Sequence, residues 1–219
     1  IKMTKNYLIS TGGSGGHVIP ATILYDHLIK EANVIISSDK RGLKYLKKDY
    51  ELKIINTPKL NNFLLLPLNL IIIFLLTIKS FFLLKNKKIE KLFSTGGYMS
   101  LPVIFAARLL NLKIYLLEPN QVLGRANKFF LNSCENIFCY TKNIKNFPLK
   151  HKNKIKIIHP LVRNEIYEIN YLSSKEDRFN LLIVGGSQGA SIFDHIIKKK
   201  VVNLSKKFPI KIIQQTSKK

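Results

Sequence analysis

A histidine that follows two glycine pairs at the end of an apolar run sets a proton-transfer group beside backbone able to hold an anion. Residues 10–21 read STGGSGGHVIPA and follow the apolar NYLI. Imidazole, with an ordinary pKa of about 6.5, exchanges protons near neutrality, so His17 is a candidate general base. Held by backbone or bound to a phosphate, the same histidine would move no proton. Glycines where a buried strand turns into a helix let unpaired amides and the positive end of the helix dipole approach a phosphate closely. Ser14, Gly15 and Gly16 are therefore candidate phosphate contacts. Similar loops recur as STGGY at 94–98 and as Gly185–Gly189. A tight turn needs glycine for steric reasons alone, but three loops at equivalent positions point to a phosphate-handling site. Glu118 closes the apolar run KIYLLE, where open α/β sheets bind ligands. It is a second candidate base or orienting group, with a helix-start cap as the structural alternative.

The phosphate carrier is narrowed by what the loops lack. Counting Gly-x-Gly-x-x-Gly from Gly13 puts the last position on Val18, and the Gly-Lys-Ser/Thr of a P-loop does not occur. Neither nicotinamide chemistry nor nucleotide hydrolysis is supported. Two cysteines, Cys134 and Cys139, and five scattered histidines fit no metal-ligand spacing, so no metal is expected.

The elements that must position these groups alternate. Strands are expected at Tyr7–Ser10, Asn33–Ser37, Leu52–Asn56, Lys91–Ser94, Lys113–Glu118, Asn136–Tyr140 and Ile155–His159, with helices at Val18–Glu31, Leu101–Asn111 and Val122–Asn132. Strand–helix alternation at this spacing implies a parallel, helix-covered α/β sheet. Pro20 is expected in the first turn of its helix, where a missing N–H is harmless. The polar run 164–178 reads as a linker between a domain at 1–163 and the start of a second at 179–219. That second unit holds a strand at Phe179–Val184, a glycine loop, a helix at Ala190–Lys207 and a strand at Ile210–Gln214. A lone β-α-β unit cannot bury its own faces, so a longer second domain is expected.

The motifs GGSGGHVIPA, STGGYMSLPVIFAA, EPNQVLGRANK and LLIVGGSQGA occur in the order found in the MurG family of bacterial glycosyltransferases, which the chain resembles over almost its whole length. It departs from that family where HPLVR, ending in Arg163, replaces a Gly-Asn-Pro-Val-Arg type turn, and in the shortness of its second domain. The resemblance implies a GT-B fold of two Rossmann-like domains facing across a cleft. It implies inverting transfer of N-acetylglucosamine from UDP-N-acetylglucosamine to the 4-hydroxyl of the muramyl sugar of lipid I, without a cofactor, in peptidoglycan synthesis. The implied place is the cytoplasmic face of the cell membrane. His17 and Glu118 would then be catalytic. Asn120, Arg163, Ser187 and Gln188 would join Ser14, Gly15 and Gly16 on the donor and its phosphates. Thr95, Gly96, Gly97 and Tyr98 would form a loop for the acceptor diphosphate. A non-catalytic acceptor subunit, or transfer to another lipid, remains open at this point.

Residues 63–84, FLLLPLNLIIIFLLTIKSFFLL, are long enough to span a bilayer, which takes roughly 20 apolar residues. Pro67, Lys79 and the regular strand–helix order argue instead for a helix lying on anionic lipid, helped by the adjoining KNKKIEK. A buried core helix and a true span are the alternatives. The formal net charge of +23 asks for an anionic partner. It does not single out nucleic acid, because no basic helix with interleaved aromatics accompanies it.

Overall fold

The computed structural model describes residues 5–58, 60, 64–168, 179–185 and 196–215. These fall into two compact units, Ile1–Asn164 and Glu165–Lys219.

The first unit is built on a seven-stranded sheet of β1 (Asn6–Ser10), β2 (Asn33–Ser38), β3 (Leu52–Ile54), β4 (Lys91–Ser94), β5 (Lys113–Glu118), β6 (Asn136–Cys139) and β7 (Ile155–Ile157). Every pairing is parallel, as expected for apolar strands covered on both faces. Helix α1 (Gly15–Leu28) covers one face through Ala21 and Tyr25, packed with Tyr7, Ile9, Val34 and Ile36. The other face carries α2 (Leu66–Asn86), α3 (Leu101–Leu109) and α4 (Arg125–Phe130), whose Leu84, Ala106 and Phe130 pack with Leu8, Leu92, Leu116 and Ile137. The alternating strand residues thus feed two cores. A ladder of rings, Tyr7, Phe93, Tyr115 and Phe138, runs across β1, β4, β5 and β6. Such cross-strand contacts help fix register.

The strand order is β3-β2-β1-β4-β5-β6-β7. The chain winds outward from β1 to β3, crosses back through α2, and winds outward again from β4. The point of reversal lies between β1 and β4, and open α/β sheets bind ligands outside the carboxyl ends of the strands at such a switch point. Both of the first two glycine loops leave the sheet there.

The second unit has a parallel pair, β8 (Phe179–Ile183) and β9 (Ile210–Gln214), with Phe179 opposite Ile210. Among the described residues it also has the short α5 (Asn164–Tyr167), which starts at the last residue of the first unit, and α6 (Lys198–Ser205).

Several expected boundaries move. Helix α1 begins at Gly15 rather than Val18, so Gly15, Gly16 and His17 form its first turn. Pro20 then lies past that turn, inside the helix, where its missing N–H leaves the Gly16 carbonyl without an i+4 partner. Helix α4 is shorter than Val122–Asn132 because the residues before it fold around Glu118, and Val122 instead bridges to Lys145. The first four residues of the expected linker form α5.

Candidate active site

Backbone hydrogen bonds align the two glycine loops. Thr95 N–H donates to Ser10 O at 3.1 Å, and the buried Thr95 hydroxyl donates to that of Thr11 at 2.8 Å. Gly96 N–H donates to Ser94 Oγ at 3.2 Å. Thr95 and Gly96 therefore hold the corner together, and Gly97 and Tyr98 form its outer lip. Gly97 has φ +83°, and a Cβ there would run into Met99. Left-handed backbone with no room for a side chain leaves glycine as the fitting residue.

Around the first loop an internal anion is already in place. Asp39, at the end of β2, accepts from Gly13 N–H at 2.7 Å and Gly42 N–H at 3.1 Å through Oδ1. Its Oδ2 takes the Arg41 guanidinium, Nε at 2.8 Å. This pairing raises the Arg41 pKa above its ordinary value. Arg41 in turn lies over the Tyr98 ring and donates to its hydroxyl. Burial, the dominant cause, pushes the Tyr98 phenol above its usual range despite the nearby guanidinium. In a dinucleotide-binding sheet the acid at this strand end would contact ribose. Here that carboxylate shapes the glycine loop instead, which accords with the absence of the dinucleotide fingerprint.

Beyond Asp39 the helix entrance is open. Ser14 is the N-cap of α1 with extended backbone (φ −100°, ψ 162°), and its hydroxyl makes no cap hydrogen bond. No acidic residue lies in the first turn, so the positive end of the helix dipole is uncompensated locally. Gly16 is exposed, and nothing crowds it closer than Ser14 Oγ, 3.7 Å from an added Cβ.

His17 projects from this turn. Its Nδ1 lies 2.7 Å from Thr95 O. A carbonyl only accepts, so Nδ1 carries the proton and Nε2 is the acceptor nitrogen. The side chain lines a cavity of about 710 Å³ together with Gly97, Tyr98, Leu70, Phe105 and Arg125. That size is within the range of small-molecule sites, roughly 300–1,000 Å³.

The corner after β5 is built differently. Glu118 is 2% exposed. Its Oε1 accepts from Asn120 N–H at 3.2 Å and Asn120 Nδ2 at 3.0 Å, and its Oε2 from Gly124 N–H at 2.8 Å and Asn127 Nδ2 at 3.0 Å. Of the roles open to Glu118, this geometry favours the structural one: a buried carboxylate folding the loop that starts α4. Asn120 is exposed but donates its backbone N–H and one of its two amide hydrogens to Glu118. Behind them burial, reinforced by the Glu118 charge, pushes the Cys139 thiol up to about 12, so it is no nucleophile.

Three residues were not singled out in the sequence. Asp39 could have been flagged as an acid ending a strand beside a glycine loop. Arg125 follows Gly124 at a helix start, next to a strand-ending glutamate. Asn127 is 2% exposed, donates to Leu117 O at 3.1 Å and to Glu118, and abuts Gly96; no sequence signal separates it from an ordinary helical asparagine. Elsewhere, Arg163 is exposed and makes no ion pair among the described residues. Ser187 and Gln188 lie outside the described residues; of their loop, Gly185 N–H donates to Gln215 Oε1 at 3.1 Å.

Helix α2 borders the cavity and is inverted in polarity. Its buried residues include Asn69, Thr77 and Ser80, the last fully covered, while Phe74 is 64% exposed and Leu68, Ile71, Leu75 and Phe82 are also exposed. Pro67 stands at its start, not in its middle. At 21 residues and a mean hydropathy of 2.1, it is long and apolar enough to cross a membrane. Contiguous exposed apolar surface of this kind marks an interaction site.

The match to known proteins follows the same regions. Residues 7–139 match the glycosyltransferase family 28 N-terminal domain. The chain is 54% identical over 98% of its length to the UDP-N-acetylglucosamine–N-acetylmuramyl-(pentapeptide) pyrophosphoryl-undecaprenol N-acetylglucosamine transferase of Pelagibacter ubique, covering 61% of that protein. It is 36% identical over 97% of its length to the transferase of the same name from Rickettsia canadensis, covering 62%. The crystal structure of Acinetobacter baumannii MurG superposes with a TM-score of 0.73 at 23% identity, over 96% of this chain and 60% of that one. The chain thus spans about three-fifths of the length of the relatives it matches.

Proposed function

This chain belongs to glycosyltransferase family 28, and from that premise we propose that it is the acceptor-binding part of an inverting N-acetylglucosaminyltransferase of peptidoglycan synthesis. The donor is UDP-N-acetylglucosamine. The acceptor is the undecaprenyl-diphosphate-linked N-acetylmuramoyl-pentapeptide. The fold is of the GT-B type. The observation that carries this reading is the cavity at the β1–β4 switch point, where a histidine of defined tautomer sits beside an uncapped helix N-terminus and Arg125.

The chemistry follows from those groups. His17 Nε2 accepts the proton of the muramyl 4-hydroxyl as its oxygen bonds to the anomeric carbon. The bond from that carbon to the donor phosphate breaks, and UDP leaves with the electron pair. General base catalysis of this kind contributes roughly 10²–10⁴-fold. The amides of Gly15 and Gly16, expected on the donor's phosphates, are reassigned here to the acceptor diphosphate, which they hold with Gly97, the Tyr98 edge and the Arg125 guanidinium. Glu118, Asn120 and Asn127 position the loop that presents Arg125. Arg163, Ser187 and Gln188 serve the donor phosphates from the second unit and its approach.

The exposed face of α2 rests on the cytoplasmic leaflet, with Lys79, Lys85 and Lys88 exposed for anionic headgroups. Replacing Leu75 and Phe82 by glutamate should release the chain from vesicles containing phosphatidylglycerol. Vesicle binding by that double variant as tight as the unaltered chain's would overturn this surface.

The decisive assay is transfer to lipid I, by this chain and by a version extended with the remaining C-terminal residues of a relative. His17→Ala should lower turnover at least 100-fold with little change in KM. Unchanged turnover removes His17 from the chemistry. Equal transfer to diacylglycerol reassigns the acceptor.

A further inference from the structure

The cavity holding His17 does not end at the glycine loops. It shares Leu70, Ile73 and Phe105 with a second cavity of about 500 Å³ that continues along the seam of α2 and α3 past Phe74. Together they form one groove, polar at one end and apolar along the rest. The polar end has Gly97, Tyr98, Arg125 and the histidine of the open α1 turn. The mainly apolar length is walled by Ile73, Phe74, Phe105 and Leu109, with Thr77 and Arg108 as its polar members. Charge and apolarity are therefore laid out in series, which suits an amphiphile with an anionic head and a hydrocarbon tail.

We propose that this groove binds the first isoprene units of a polyprenyl diphosphate, holding the start of the chain against protein between α2 and α3 while the diphosphate sits at the switch point. The inference rests on the transferase reading for the identity of the head group, and adds a site for the chain joined to it. One feature favours a diphosphate-linked chain over a bilayer phospholipid: the groove starts at the glycine loops and Arg125, so its occupant enters head-first at an anion site. Helix α2 is buried through Asn69, Ile73, Thr77, Ser80 and Leu84, which keeps it packed while Leu70 and Phe74 remain at the groove.

The chain contains no tryptophan, so Phe129→Trp, at an exposed cavity-lining position, gives a sole fluorescent reporter. In that background we would titrate inorganic diphosphate and the C5, C10, C15 and C20 prenyl diphosphates below their micellar concentrations. Dihexanoylphosphatidylglycerol and farnesol are the control ligands. Each buried methylene is worth a factor of about four, so affinity should rise at least tenfold per isoprene unit until the groove is full. Leu70→Gln, at a half-exposed position lining both cavities, removes apolar wall without adding charge and should flatten the whole series without weakening inorganic diphosphate. Phe74→Glu, which lines only the second cavity, should weaken the longer members alone. If all prenyl diphosphates bind as inorganic diphosphate does, the groove is overturned and the transferase reading stands. If neither inorganic nor prenyl diphosphate binds, the acceptor reading fails and takes the groove with it. Equal binding of the phosphatidylglycerol or of farnesol overturns the head-first occupant in favour of unspecific lipid.

Discussion

Two corners of one sheet, β1 to α1 and β5 to α4, start from the same problem: a buried parallel strand must deliver its chain to a helix without leaving polar groups stranded. They solve it in opposite ways. After β5 the protein brings in its own carboxylate, Glu118, and closes the loop on it with four hydrogen bonds. After β1 an internal carboxylate, Asp39, is set one step earlier, on Gly13, and the turn at Gly15 and Gly16 has no side-chain cap. A strand-to-helix corner is thus left open to an outside anion when its own anion is held back from the helix entrance. Glycine content alone does not decide it.

The contrast is broken most directly at Glu118. Glu118→Ala strands buried donors, and each such donor costs about 1–3 kcal/mol. The expected loss is about 3 kcal/mol or more, read from the shift in denaturation midpoint. If the midpoint held and transfer vanished, Glu118 would be a chemical group and the two corners alike. A smaller effect separates two glycines. Gly97→Ala forces a side chain into left-handed backbone and against Met99, a loss of about 1–2 kcal/mol in the same experiment. Gly16→Ala is expected to go the other way. It lies in ordinary helical backbone with open space around it, so thermal unfolding should show a gain of about 0.4–1 kcal/mol. Its methyl group should at the same time weaken diphosphate binding. A Gly16→Ala variant that binds diphosphate normally would mean the uncapped entrance is not used.

How much of this could be read from the residues follows the physics that set each element. The parallel sheet was legible because strands buried on both faces, such as KIYLLE, have a pattern that solvent-facing strands lack. The placement of the glycine loops and His17 at strand-to-helix corners was legible because glycine-rich turns after an apolar run carry a local signal. What is set by tertiary approach was not. Pro20 looked like a first-turn proline because nothing local shows that α1 already begins at Gly15. Glu118 looked as much like a base as a cap, since its four donors come from residues 120, 124 and 127 and only the folded loop gathers them. Arg41, held by Asp39, reaches Tyr98 across 57 residues of sequence, a contact no local pattern contains. The polarity of α2 was half legible. Asn69 and Ser80 share a face, but only the packing shows that this face points inward.

The crossover that α2 makes has a further consequence. The strand before it and the strand after it, β3 and β4, are members of one hydrogen-bonded sheet. Were this 21-residue helix to thread a lipid bilayer, those strands would be left in separate aqueous compartments and the sheet would come apart. Insertion and folding are therefore mutually exclusive outcomes for the same segment, and closing the sheet vetoes the transmembrane one.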